Sequence, residues 1–147
     1  MKNISKLIVS IASVLIGMLL MPMMLFAAEG MLTGTGTESD PYIINTVNDF
    51  GIIQDGIKSG KSYKNKYFRL ESDIKLPTDW KPLGMLKEGV TDAGNGRNIL
   101  PFSGILDGNG HTLTFSKGSK PLFGYVRDAK VENLNIYGEY IDGYGLV

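Results

Sequence analysis

From Ser103 onward the chain holds no long uninterrupted run: SGIL, HTLTF, PLFGYV, KVENLNIY, EYI and GLV follow one another, parted by glycine and asparagine. A helix needs its apolar period sustained over ten residues or so, and none appears after residue 60. Glycine and asparagine accept positive φ at low cost, so each break is a place where the chain can turn. Short strands with such corners predict a mainly β fold with many turns. Leu122-Phe123-Gly124 also finds an echo in Leu146-Val147, 24 residues later. A period in the twenties is the mark of stacked repeats, in which each unit covers its neighbour.

The middle of the chain fits this frame. FRLESDIKL, residues 68–76, alternates: Phe68, Leu70, Ser72, Ile74 and Leu76 share one face, while Arg69, Glu71, Asp73 and Lys75 share the other. That period predicts a strand with one side buried and one solvated. The one helix is predicted over 46–58, with Thr46 as its cap, Asp49 in its first turn, Val47, Phe50, Ile53 and Ile57 at helical spacing, and Gly60 as its stop. Gly51 and Gly56 weaken it, so it must lean on an apolar partner. Residues 29–65 thus form a turn-rich lead-in and a capping helix, and residues 66–147 the repeating strands. Within these, the glycine-rich segment 84–101 reads as a long surface loop.

Residues 1–28 carry Lys2 and Lys6, then the apolar run LIVSIASVLIGMLLMPMMLF, then Ala27 and Ala28. This is the pattern of an export signal, and the run is also nearly long enough to be an uncleaved membrane anchor. Either way the rest of the chain lies outside the cytoplasmic membrane. Without 1–28, 13 basic residues face 15 acidic ones. That balance excludes an electrostatic footprint for nucleic acid and leaves residues 1–28 as the sole membrane contact. The absence of cysteine excludes disulfides and thiolate metal sites.

Five segments in order, GTGTESDPYIINTVNDF, KYFRLESDIKL, WKPLG at Trp80, FSGILDGNGHTLTF and PLFGYVRDAKVENLNIYGEYIDGYGLV, resemble the start of bacterial surface proteins carrying the GLUG repeat. The resemblance covers residues 34–147. It implies a right-handed parallel β-helix of the pectin-lyase-like class, as in the N-terminal repeat regions of some immunoglobulin A1 proteases and adhesin-like proteins. The helix at 46–58 would cover the open first coil. In the family, further coils follow IDGYGLV, whereas this chain stops at Val147. The expectation is a truncated gene product, with self-association through an open C-terminal edge as a consequence.

FSGILDGNGHTLTF contains the candidate site that most invites chemistry, because it brings the only histidine, His111, next to Asp107 and Asn109. An acid, an amide and an imidazole suit acid–base work or a metal. Asp-Gly-Asn-Gly is equally a turn signal, with His111 opening the next strand and bonding to backbone. The second reading is adopted, since catalysis needs a supported partner and no other histidine or cysteine exists. The string also resembles polygalacturonases, whose paired aspartates lie on later coils without counterpart here. Glu38, Asp40, Asp73 and Asp79 suit calcium as oxygen donors, but no calcium-loop pattern holds them together, and they read as solvated charges. Arg69, Lys75 and Lys81 read as an exterior strand face. Trp80, Tyr137, Tyr140 and Tyr144 could line a sugar-binding groove or pack as rim aromatics. The zinc motif H-E-x-x-H of the immunoglobulin A1 proteases cannot be built from one histidine.

The sequence therefore predicts no catalytic, cofactor or metal site. It points to a non-catalytic segment of a cell-surface or adhesin-like protein, working by display or by binding a glycan or a host or cell-wall surface. The rivals are a fragment of a polysaccharide lyase or glycoside hydrolase, and a truncated remnant with no function of its own.

Overall fold

A computed structural model describes residues 30–138 of the chain. Residues 1–28, where an export signal is expected, and Tyr140, Tyr144, the runs EYI and GLV, and the closing IDGYGLV lie outside the described residues. Among the described residues the fold is mainly β, with parallel sheets and a single α-helix.

Strand β1 (Tyr42–Ile44) leads into α1 (Val47–Lys58), then β2 (Tyr67–Leu70) and β3 (Ile74–Leu76). Two short strands, β4 (Met85–Leu86) and β5 (Ile99–Leu100), precede β6 (Ile105–Asp107), β7 (Thr112–Phe115), β8 (Lys130–Glu132) and β9 (Asn135–Gly138). One all-parallel sheet runs β1-β2-β6-β8 and a second runs β3-β7-β9. β1 enters the first sheet alone and runs into α1; each of the three later passes contributes one strand to each sheet (β2 and β3, β6 and β7, β8 and β9) and turns between them at a polar corner.

FRLESDIKL is thus two strands, not one. The chain turns at residues 71–73, and β2 and β3 belong to different sheets. Burial keeps its period of two across the corner, with Phe68, Leu70, Ile74 and Leu76 all at most 5% exposed. Ser72 shares their parity but stands at the corner, where its hydroxyl donates to the Asn45 carbonyl at 2.5 Å. KVENLNIY breaks in the same way, into β8 and β9.

Register aligns like side chains between passes. Phe68 stands over Leu106 and Leu106 over Val131 in the first sheet, while Ile74, Leu113 and Ile136 align in the second. Tyr63, Phe68, Phe102 and Phe123 form a continuous aromatic series through the interior, with successive ring centroids 5.3, 5.6 and 5.2 Å apart. Burying side chains of this size contributes about 1.5–3 kcal/mol each.

The helix buries Phe50, Ile53 and Ile57 against this core. At its start the Asp49 carboxylate accepts from the backbone N–H of Asn45 and Thr46 and from the Thr46 hydroxyl, at 2.8–3.0 Å. At its end Gly60 (φ 86°) closes the last turn, with Gly60 N–H donating to Ile57 and Lys61 N–H to Gly56.

Segment 84–101 is more than the plain surface loop its composition suggested. β4 and β5 pair antiparallel, Lys87 N–H donates to the Asn98 carbonyl, and a 3₁₀ turn at Gly94–Gly96 follows Asp92. The alternation in two-residue strands is too short to read from sequence. Leu83 and Phe102, which flank the hairpin, pair in parallel with Phe123 and Val126 of the next pass. The excursion therefore interrupts a rung that the following pass completes with only Gly124 and Tyr125 between the two partners. Gly84 (φ 80°) and Gly124 let these backbones approach closely, and Gly124 N–H donates to the Leu83 carbonyl at 2.7 Å.

Candidate functional site

The corner built by FSGILDGNGHTLTF follows from its own residues. The Asp107 carboxylate accepts from the Asn109 N–H at 2.9 Å, which fixes a tight turn, and from the Asn133 side-chain amide at 3.0 Å. Asn109 takes φ 51°, and its side-chain amide donates to the Leu70 carbonyl at 3.2 Å. One pass further on, Asn133 also has a positive φ, and the Asn135 amide donates to the Gly110 carbonyl at 2.7 Å. These side chains tie each corner to the pass before it.

His111 does not bond to backbone through its ring, as the turn reading supposed. Its Nδ1 lies 3.2 Å from Asp73 Oδ1, and the same oxygen accepts the Thr112 N–H at 2.8 Å. The Thr112 N–H, and after it the His111 ring, hold the Asp73 carboxyl below the usual carboxylate range. Asp73 is thus an ionised acceptor that orients the ring. Among the described residues the bonds to this pair come from His111 itself and from backbone, with no hydroxyl hydrogen-bonded to it.

The structure brings Asp73 and His111 together and leaves the other candidates apart. Among the described residues no three acids or histidines stand close enough to hold a metal ion. Asp40 accepts from the Thr35 N–H instead. Trp80 leaves the proposed sugar-binding set: it is 5% exposed, packs edge-on against Phe50 at 5.8 Å, and donates its indole N–H to the Pro121 carbonyl at 3.1 Å. Tyr137 is 60% exposed and is, among the described residues, the member of that set that stays at the surface.

A charged column absent from the sequence reading stands on the outer face of the first sheet. Arg69, Asp107 and Glu132 occupy partnered positions on β2, β6 and β8. Parallel strands lie about 4.8 Å apart, so these side chains form a ladder at that spacing. The neighbouring row is Tyr67, Ile105 and Lys130. A depression of about 130 Å³ is lined by Glu38, Pro41, Tyr67, Arg69, Asp107 and Glu132. Arg69 donates to Glu71 at 2.6 Å, and Lys130 meets Glu132 at 2.8 Å. The Glu132 contact pushes the Lys130 ammonium pKa upward. Each carboxylate of the column has a partner already, Asp107 in Asn109 and Asn133 and Glu132 in Lys130. The spacing of 25 between Asp107 and Glu132 was the available signal, but the spacing of 38 from Arg69 to Asp107 concealed the column.

No helix of the described residues is long and apolar enough to cross a membrane. No family model matches the chain, and no solved structure matches it. An 89-residue stretch is 36% identical to Halomucin of Haloquadratum walsbyi (strain DSM 16790 / HBSQ001), covering 58% of this chain and 1% of Halomucin.

Proposed function

We propose that the chain is an exported, non-catalytic segment of a cell-surface, adhesin-like protein, built as the beginning of a right-handed parallel β-helix and working by display or surface binding. The observation that carries this reading is the in-register parallel pairing of strands from successive passes, with partners 26, 38 and 25 residues apart in the first sheet. Strands joined by crossovers to parallel neighbours wind right-handed almost without exception. The apolar run in 1–28 supports export, and the similarity to Halomucin supports a place outside the cell. The outer face with Arg69, Asp107 and Glu132 is the surface offered for binding. A glycan array probed with the full chain tests this. Retention of saccharides that falls with Arg69→Gln and Glu132→Gln is expected, and binding to no glycan would leave display alone.

One observation favours a second reading, a carbohydrate-active enzyme: the same column sets two carboxylates beside an arginine. Incubation with polygalacturonate and mixed glycans separates the two. No product is expected. Product formation abolished by Asp107→Ala would establish the enzyme.

A further inference from the structure

We propose that the groove between the end of α1 and the base of the β4–β5 hairpin binds a carboxylated sugar. This site is distinct from the outer sheet face and does not depend on it. The groove has a volume of about 300 Å³, and Ile57, Lys64, Leu100, Pro101, Arg127 and Asp128 line it together with four small or flanking residues. That is the lower end of the range for small-molecule pockets, and it suits one or two sugar rings.

The hairpin creates this groove. Leu83 and Phe102 pair with residues only three apart, yet they are separated by the whole excursion, whose base supplies Leu100, Pro101 and Ser103 to the wall. Departures from a regular scaffold are where binding groups concentrate. The excursion is also anchored, because Arg127 on the next pass donates from Nη2 to the Gly96 carbonyl at 2.7 Å. A guanidinium carries five N–H donors, so this bond leaves others for a ligand.

The chemistry of the lining selects the ligand. Leu100 and Pro101, both half-buried, offer an apolar patch for the C–H face of a pyranose. Lys64 and Arg127 supply positive charge in a chain whose exported part is otherwise slightly acidic. The planar guanidinium fork matches a carboxylate. Asp128 lies 3.8 Å from Lys64 in a loose, exposed pair, where its carboxylate can accept sugar hydroxyls and disfavours polyanions. Lys61 directs its ammonium onto the Tyr63 and Tyr42 rings, 5.0 and 5.6 Å from their centroids, and adds charge from the flank. Among the described residues no aromatic side chain lines the groove, so these residues offer a nucleobase no stacking surface.

The test is an NMR titration of the isotopically labelled full chain with sialyllactose and with a hyaluronan tetrasaccharide, using lactose and chitotetraose as neutral controls. The acidic sugars are expected to shift the amides of Lys64, Ser103 and Arg127, and to bind about tenfold or more tightly than the neutral ones. Binding of sialyllactose alone or of the uronate alone would support the proposal and name the source of the carboxylate. Arg127→Gln and Lys64→Gln should each weaken binding about tenfold, and Lys75→Gln, on the exposed face of β3, should leave it unchanged. Lys64→Gln keeps the Arg127–Gly96 bond, so its effect cannot come from a loosened hairpin. Equal affinity for acidic and neutral sugars, no binding of either acidic sugar, or a loss with Arg127→Gln but not with Lys64→Gln would each overturn the proposal.

Discussion

Gly104 should be the position where one added methyl group is felt most clearly, and its effect should shrink when Phe68 is shortened. A Cβ on Gly104 would lie 2.6 Å from Phe68 Cε2 and 2.9 Å from Phe102 Cζ, both atoms of nearly fully buried rings. The backbone of Gly104 is outside the left-handed region, so alanine meets a problem of space alone. Forcing a methyl into a packed core costs about 1–3 kcal/mol. Restricting the unfolded chain returns about 0.4–1 kcal/mol, which leaves a net loss of about 1–2 kcal/mol for Gly104→Ala. Phe68→Leu removes the atom at Cε2 and should cost about 1–2 kcal/mol by itself. In the double variant the closest contact is gone and that with Phe102 remains, so the combined loss should fall well below the sum of the two single losses. Urea titrations followed by circular dichroism and Trp80 fluorescence measure the cycle. A coupling of about 1–2 kcal/mol is expected. Additivity within about 0.5 kcal/mol, or a Gly104→Ala variant as stable as the parent, would show that the rings do not meet at this residue.

Three further outcomes follow from the corner and the core. Asn109→Ala should lose about 2–3 kcal/mol, because alanine resists the positive φ and the bond to the Leu70 carbonyl disappears; Asn109→Gly should lose only the bond, so equal melts for the two would count against the corner geometry. Asp73 has a depressed pKa in the folded chain, so its contribution is present above the unfolded value near 3.8 and is lost as pH falls from there through the folded value. Asp73→Asn should therefore flatten stability as pH falls below the unfolded value near 3.8, and an acid limb that overlays the parent's would exclude this linkage. Trp80→Phe removes the indole bond to the Pro121 carbonyl and should cost about 1 kcal/mol, while native Trp80 emission should be blue-shifted and unmoved by saccharides; a red, solvent-like native emission would contradict its burial.

What the sequence made legible were features carried by neighbouring residues. The DGNG corner is explicit, because an acid that can accept the N–H two residues on is followed by residues that tolerate positive φ. The buried parity of Phe68, Leu70, Ile74 and Leu76 is explicit too, because the period of two continues through the bend. The bend itself is not: no glycine or proline marks residues 71–73, and Ser72 holds the inward parity while bonding a carbonyl of the previous pass. Contacts between passes were illegible for a different reason. Asp73 meets His111, and Arg69 neighbours Asp107, only once the hairpin is subtracted from the spacing. Trp80 was ambiguous by type, since an indole with its N–H satisfied is at home in a core as much as at a sugar site.

The hairpin also explains how a regular stack can carry a variable element at little energetic cost. Its two ends, Leu83 and Phe102, are 0% and 1% exposed and remain in one rung, held by backbone bonds to the next pass. Its own β4–β5 pairing satisfies backbone groups at its base, and Arg127 holds its turn from outside. Lengthening such an excursion costs chiefly closure entropy, about 0.6 kcal/mol for each doubling. A change in the core rung, by contrast, displaces close-packed rings at several kcal/mol. The groove wall is thus where this architecture can alter its surface without disturbing its stack.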